Sequence, residues 1–498
     1  YVPIENLLVL DTSDFLVQVL DGKLGLTNTG TVVSEGVAAM RANIARLGWG
    51  VTGDGVTIGV ISDSFDNNNG YGSDQAGRNL PGPANPDPDQ TTPVDVLEDL
   101  DGGGSDEGRA MLQLIHDVAP DADLKFATGF NGKYNAASQI EALRLAGCDI
   151  IVDDVQYIDE AFYEDDVWAQ AVNNSVDAGV PVFTAAGNFG NKSIEQTFTP
   201  AAAPFDTFHD WGGGVTGQTL NLDPGFYIIS VQWDDDYISL GEGTGAQVDL
   251  NAYLGESPDI LDFGSNVVNF NKDPMDFLYF LVLNPTTTNL YVERSVGSAT
   301  GPLKFKYVVF RSGDTAAFDA TPALDGSTIV GHANAEKNFT VGAVRYDRVD
   351  PTPIPQQSSS DGGTTTGGDV RNKPDAMGPT GGDTTVPIGP DFDGDGQPNF
   401  FGTSAAAPHV AAVAAMILEA GTKFGVDLSG TADPSLTVRN LLLETAVDMG
   451  DPLKNGAGFV RADLALGAIA NPVPNLISLN FEQWLEDNPG FVPGETSF

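Results

Sequence analysis

Short β-branched apolar runs alternate with amphipathic helical stripes in two stretches of the chain, and a long stretch with no helical period separates them. From Ser34, the residues Val37, Met40, Ile44 and Leu47 share one helical face, and Gly48 is a natural stop. Residues 56–61 form an apolar run of the kind that lies buried in a parallel sheet. Ala110, Met111, Leu114, Ile115 and Val118 make a helical stripe that Ser105 or Asp106 can cap. Further strands are expected at 124–127, 150–152 and 180–183, with a helix from about 168 to 178 between the last two. Residues 66–104, rich in Gly, Pro, Asn and Asp, read as a long surface loop.

Between 199 and 322 the pattern changes. Aromatic and β-branched runs at 226–233, 247–254, 277–283, 290–292 and 304–310 are separated by turn clusters, which predicts an inserted β-sandwich or jelly roll. The pattern of the first stretch resumes at 327–332 and 339–344, a long alanine-rich helix follows from about 403, and one more helix is expected near 434–446. The expected class is therefore α/β: a parallel sheet flanked by helices, with an inserted all-β domain. The expected division is an N-terminal arm or pro-segment remnant at 1–42, a main domain at 43–198 and 323–471, the insertion at 199–322, and a tail at 472–498.

Charge narrows the choice of partners. With 69 acidic and 23 basic residues the net charge is −46, a poor surface for nucleic acid or anionic membrane. The single Cys148 cannot form an internal disulfide, and its apolar surroundings suit a small buried residue. No uninterrupted run of about 18 apolar residues is present, so no membrane span is expected. The chain starts at Tyr1, so an upstream segment is expected to have been removed or left out; the high acidity suits a secreted, extracellular or periplasmic protein, and a monomer is expected.

Several residues stand where chemistry is done. Gly402-Thr403-Ser404 opens the alanine-rich helix, placing Ser404 near free backbone N–H groups and the positive end of a helix dipole, a setting that suits a nucleophile as well as a simple cap. Asp63 follows the 56–61 strand, and Asp153 and Asp154 follow 150–152, at the strand ends where open α/β sheets place their sites. The paired acids can bind substrate amides in a cleft, hold a proton beside Ser404, or face water. Asn188 follows Ala185-Ala186-Gly187, and taken alone it would be a turn former. Asp391, Asp393 and Asp395 alternate ahead of Gly396 and suit a hard cation such as Ca²⁺, although the acid that would complete an EF-hand loop is replaced by Gly402.

The string Gly402-Thr403-Ser404-Ala405-Ala406-Ala407-Pro408-His409-Val410-Ala411 resembles the serine loop of the subtilisin-like peptidases (subtilases). Ala185-Ala186-Gly187-Asn188, the strand ending before Asp63, and Lys373-Pro374-Asp375 are similar to further segments of that family, in the same order. The resemblance covers about 43–198 and 323–465. It implies a Ser404 nucleophile, Asp63 as the triad acid and Asn188 as an oxyanion donor. One position departs: the family's general-base histidine is replaced by Glu107 in Glu107-Gly108-Arg109. His116 lies about 13 Å further along the same helix by its rise, and His409 cannot easily face back to Ser404, so both read as structural. The glutamate resembles that of the sedolisin peptidases. Their second acid, one turn past the glutamate, is Met111 here, and their oxyanion aspartate is Asn188. These likenesses imply a serine endopeptidase acting on protein or peptide, with Glu107 as base and acid, sharing a proton with Asp63 and working best at roughly pH 3–6. The alternative is an inactive pseudo-peptidase that binds protein or glycan through its cleft and its inserted domain.

Overall fold

A computed structural model describes residues 30–470 apart from 242, 312–318, 325 and 432–435. Most of the expected N-terminal arm and all of the expected tail lie outside the described residues.

Seven strands form the central sheet: β1 Thr57–Ser62, β2 Asp95–Glu98, β3 Asp123–Thr128, β4 Ile150–Asp153, β5 Val182–Ala185, β6 Phe339–Arg345 and β7 Ala376–Thr380. Their order is β7-β6-β5-β4-β1-β3-β2, and every neighbouring pair is parallel. Both faces are covered by helices, which is why the central strands read as unbroken apolar runs. Ile58, Val60, Ile150 and Val152 are fully buried on one side, and Ile61 and Ile151 on the other. The helices are α1 Ala42–Trp49, α2 Glu107–Val118, α3 Lys133–Leu145, α4 Val167–Asp177, α5 Thr403–Phe424 and α6 Ala462–Ala470. Helices α1, α2, α5 and α6 share the larger core, while α3 and α4 pack on the opposite face.

Helix α5 runs through the larger core with its whole alanine series buried. Small side chains let the sheet and α2 approach its backbone closely. By length and composition α5 would also suffice to cross a bilayer, but here most of it is buried inside the fold.

The structure departs from the sequence reading in several places. The helix expected from Ser34 breaks at Arg41, which takes a left-handed conformation, and Leu47 is exposed rather than on the buried face. The long loop contains the short helix Tyr71–Ala76 and the edge strand β2, whose exposed positions carry no apolar run. Helix α3 buries Ala136, Ala137, Ile140 and Leu143 under an otherwise polar surface, so it gave no strong stripe. Beyond α5 there is not one helix but Val438–Glu444, Pro452–Asn455 and α6.

The inserted stretch folds into two antiparallel sheets. One contains Leu250–Ser257, Ile260–Ser265, Thr286–Arg294, Gln218–Leu222 and Asp319–Thr321. The other contains Gly225–Trp233, Met275–Val282, Lys304–Arg311 and Ser193–Thr197, the last lying before residue 199. Tyr227, Ile229, Val231, Trp233, Phe305 and Tyr307 of the second sheet interdigitate with Leu220, Leu250, Ala252, Leu290 and Val292 of the first in one apolar cluster. The outer face of the second sheet meets the main domain: Val308 packs with Phe162, Tyr163 and Val330, and Gln232 bonds the Phe162 N–H at 3.0 Å and the Glu160 carbonyl at 2.8 Å.

A buried ion cluster ties this junction to the end of β4. His332 is fully buried, with Nε2 2.8 Å from Asp153 Oδ1 and Nδ1 2.6 Å from Glu160 Oε2, and its ring stacks on Trp168 at 3.8 Å. Burial pulls the imidazole down, but Glu160 and Asp153 outweigh it and raise it from 6.5 to about 10. The stabilisation is therefore complete below about pH 6.5 and is lost as pH rises through about 10. His332→Gln leaves two buried carboxylates without a counter-charge and should cost about 3–5 kcal/mol. Urea unfolding of both proteins at pH 6, 8 and 10 checks this: the gap should narrow as pH rises, and a gap independent of pH would refute the ionic account.

Candidate active site

Parallel strands linked by right-handed crossovers bring strand C-termini and helix N-termini to the same edge of a sheet. Asp63 follows β1, Asp154 follows β4 and Asn188 lies three residues past β5, so the three side chains come from the ends of adjacent strands. Glu107 is the first residue of α2, and Ser404 the second of α5.

Asp63 is buried and its carboxylate is filled with donors. It accepts from the N–H groups of Ser64, Ser105 and Glu107, the last at 2.9 Å, and from Ser105 Oγ at 2.7 Å. Its own carbonyl accepts from Thr128 Oγ1 at 2.6 Å. Asp63 thus serves as the cap of α2, in place of the expected Ser105 or Asp106 side chain; Asp106 holds the N-cap position in a left-handed conformation and makes no capping bond. Instead, Asp106 pairs at 2.9 Å with Arg109, which also pairs with Asp74, so a buried ionic knot pins the 66–104 loop beneath α2. Gly108 is required next to Glu107, since a Cβ there would lie 2.2 Å from Phe126 and 2.9 Å from the Ser64 carbonyl.

Ser404 is buried in the first turn of α5, whose N-cap is Gly402 with φ 108°. The N-cap is a glycine, so no side chain closes this helix end, and the Thr403 hydroxyl is turned to Gly187. A Cβ on Gly402 would stand 3.0 Å from Asn188 Nδ2, so glycine here gives both the turn and the room. Asn188 is exposed, and its Oδ1 accepts from the Thr403 N–H at 3.0 Å, while Thr403 Oγ1 accepts from the Gly187 N–H at 3.0 Å. With the oxygen held, the Nδ2 amide is the end of Asn188 left to donate. Sequence reasoning missed this role of Thr403, although its place between Gly402 and Ser404 was the available signal.

The Glu107 side chain reaches both Ser404 and Asp154. Burial raises the Glu107 carboxyl above its usual range and the nearby charge of Asp63 adds to this, against the opposing pull of contacts with Asp154 and Ser404. Asp154 is raised well above the carboxylate range, by burial first and by Glu107 next. The carboxyl that meets Glu107 is therefore that of Asp154; Asp63 reaches Glu107 through the backbone, where a shared proton had been expected.

Asp153 is not brought to the site. Neighbouring residues of a strand point to opposite faces, so Asp153 turns to His332 while Asp154 turns to Glu107. The other histidines are also elsewhere. His409 bonds Ser34 Oγ at 2.8 Å and the Ala405 carbonyl at 2.6 Å, and His409, His116 and His209 are each lowered to about 4, chiefly by burial. Asp391, Asp393 and Asp395 lie in an exposed loop with carboxylate oxygens within 4.8 Å of one another, and Asp393 is similarly grouped with Glu35 and Asp383. A cavity of about 460 Å³ lined by Asp54, Asp149, Glu419 and Lys423 lies at the opposite edge, before β1 and β4, and touches none of the site residues.

With this geometry in view, the comparisons with known proteins agree on the scaffold. The Subtilase family profile matches residues 295–462, a span that holds Ser404. The CspB protease of Clostridium perfringens superposes with a TM-score of 0.55 at 14% identity, over 88% of this chain and 99% of that one. The fold is that of the subtilisin-like proteases. A lanthipeptide protease matches with a TM-score of 0.44 at 15% identity, over 87% of this chain and 95% of its own. The search of curated proteins returns no match. On this subtilisin-like scaffold the inserted sheets leave the main domain directly after Asn188.

Removing the Asp63 carboxylate leaves the N–H groups of Ser64, Ser105 and Glu107 without their acceptor. Asp63→Ala is expected to lose at least about 3 kcal/mol, at about 1–3 kcal/mol for each group stranded. Denaturant unfolding reads the loss, and amide exchange should quicken first at Ser105 and Glu107. An unfolding midpoint equal to that of the wild type would disprove the capping role.

Proposed function

We propose that this chain is a serine endopeptidase in which Ser404 is the nucleophile and Glu107 the general base and acid. The observation that carries the reading is the contact of Glu107 with Ser404 at the mouth of two helix N-termini, with Asn188 held so that its amide is free to donate. Glu107 takes the Ser404 proton as Oγ attacks the peptide carbonyl. It returns that proton to the leaving amine as the C–N bond breaks. Water then gives a proton to Glu107 and attacks the acyl-enzyme, and the proton goes back to Ser404 as the acid product leaves. Asn188 Nδ2 and the Ser404 N–H hold the oxyanion.

A carboxylate can act as base only when ionised, so the rate should climb with pH through a point above the usual glutamate value of about 4.3. Hydrolysis of a denatured protein from about pH 3 to 9 tests the assignment. Ser404→Ala should abolish cleavage and Glu107→Gln should lower kcat about 10²–10⁴-fold. Asn188→Ala should lower kcat by about 10²–10³, a figure that comes from subtilisin itself. Full activity in Glu107→Gln would remove the base from the scheme. Absence of any Ser404-dependent cleavage, and of labelling by a fluorophosphonate, would favour a pseudo-peptidase that binds through its cleft.

The same reading makes the protein a secreted monomer, in keeping with a net charge of −46. It also gives the acidic loop a Ca²⁺ ion. Asp383 is pushed up to about 8 by burial and by the charges of Glu35, Asp395 and Asp393, a crowd of oxygen donors that a hard cation would relieve. Asp391, Asp393 and Asp395 would hold that ion and supply no chemistry beyond stiffening the approach to Ser404. Millimolar Ca²⁺ should raise Tm by a few degrees in the wild type and not in Asp393→Ala; equal shifts in the two proteins would rule out this site.

A further inference from the structure

We propose that Glu107 and Asp154 hold one proton between them, and that Asp154 is the positioning residue that keeps Glu107 a usable base. The inference deepens the peptidase reading and rests on it for its kinetic part. Three carboxyls meet at this edge of the sheet, Asp63 from β1, Glu107 from α2 and Asp154 from β4, with Ser404 and Ser62 as the hydroxyls beside them. The groups that act most strongly on Glu107 and Asp154 are acids and hydroxyls: each other, Asp63, Ser404 and Ser62.

The donors around each acid set the sites apart. Asp63 receives three backbone N–H groups and the hydroxyls of Ser105 and Ser64, so its oxygens are already engaged. Asp154 is placed differently. Its Oδ1 is buried and makes no well-aligned hydrogen bond, nor does Ser62 Oγ, which lies close enough to Asp154 to favour its ionised form slightly without outweighing burial. Register puts them there: Ile61 of β1 pairs with Asp153 of β4, so Ser62 and Asp154 are the next pair along. Two ionised carboxylates are both acceptors and cannot bond. One proton between Glu107 and Asp154 turns that contact into a hydrogen bond and leaves a single negative charge, and the raised affinity of both groups for a proton agrees.

In the reaction the shared proton sits on Asp154 and donates to one Glu107 oxygen, while the other Glu107 oxygen accepts the Ser404 proton. It is neither consumed nor released in a turnover. At higher pH it leaves, the two anions repel, and Glu107 is driven from Ser404. The wild-type profile should therefore fall on the alkaline side as well as the acid side.

Asp154→Asn supplies a permanent N–H donor that cannot titrate. It should keep activity within roughly tenfold at the optimum and move the alkaline limb up by at least about one pH unit. Asp154→Ala, with no donor, should lose about 10²-fold. Carbon-13 titration of the Asp and Glu side-chain carboxyls in the resting proteins gives a readout that needs no catalysis. The wild type should show two coupled steps at Glu107 and Asp154, and Asp154→Asn a single uncoupled step at Glu107, still above the ordinary value because burial, the largest cause, remains. An alkaline limb unchanged in Asp154→Asn, or independent single titrations in the wild type, would overturn the proposal. If no Ser404-dependent cleavage exists, the peptidase reading falls by itself and the carboxyl titration still decides whether the proton is shared.

Discussion

The bond between one carboxylate and one helix end organises the site. Asp63 closes β1 and in the same stroke caps α2, through the N–H groups of Ser105 and Glu107. A helix start has free N–H groups and a partial positive charge, and a buried anion at the end of a neighbouring strand satisfies both needs. Glu107 cannot drift from its place without breaking this link, and Gly108 lets the helix start sit tight against Phe126. Helix α5 repeats the theme with a different purpose. The Thr403 N–H is taken by Asn188 and the Ala405 N–H by the Gly402 carbonyl, which leaves the Ser404 N–H between them to face a transient anion.

Much of this was legible in the residues. Apolar runs ending in Asp63 and Asp154 mark the edge that carries the candidate site, because a sheet covered on both faces has no other way to write its strands. The Gly-Thr-Ser string marked the start of α5, since glycine with positive φ and a following alanine series leave few other structures. The inserted sandwich was visible in five of its strands, whereas Ser193–Thr197, Gln218–Leu222, Ile260–Ser265 and Asp319–Thr321 were too short or too polar to stand out. Edge strand β2 and helix α3 were hidden for the same reason: their apolar content is low, and what holds them is tertiary packing.

The partner of Glu107 was harder to read. Sequence can show that Asp63, Asp153 and Asp154 all lie at strand ends, but not which way each carboxyl turns or how many donors it meets. Asp63 was expected to touch the Glu107 carboxyl and instead touches its backbone. For Asp153 and Asp154 a cleft, a proton beside Ser404 and open water are all compatible with the sequence, and the two face opposite sides of the sheet. Thr403 and the Arg109–Asp106–Asp74 knot escaped notice because their roles exist only across distances of many residues along the chain.

That division between Asp153 and Asp154 gives strand register a chemical meaning. The buried imidazolium of His332 is held against Asp153, while one peptide further on Asp154 sits in a place that favours the neutral acid. Side chains alternate along a strand, so a slip of β4 by a single residue would trade the two environments. The counter-ion of the fold would then stand beside Ser404, and the titrating acid would be sealed against Trp168. The alignment of one four-residue strand thus keeps a permanent charge and a mobile proton on separate sides of the same backbone.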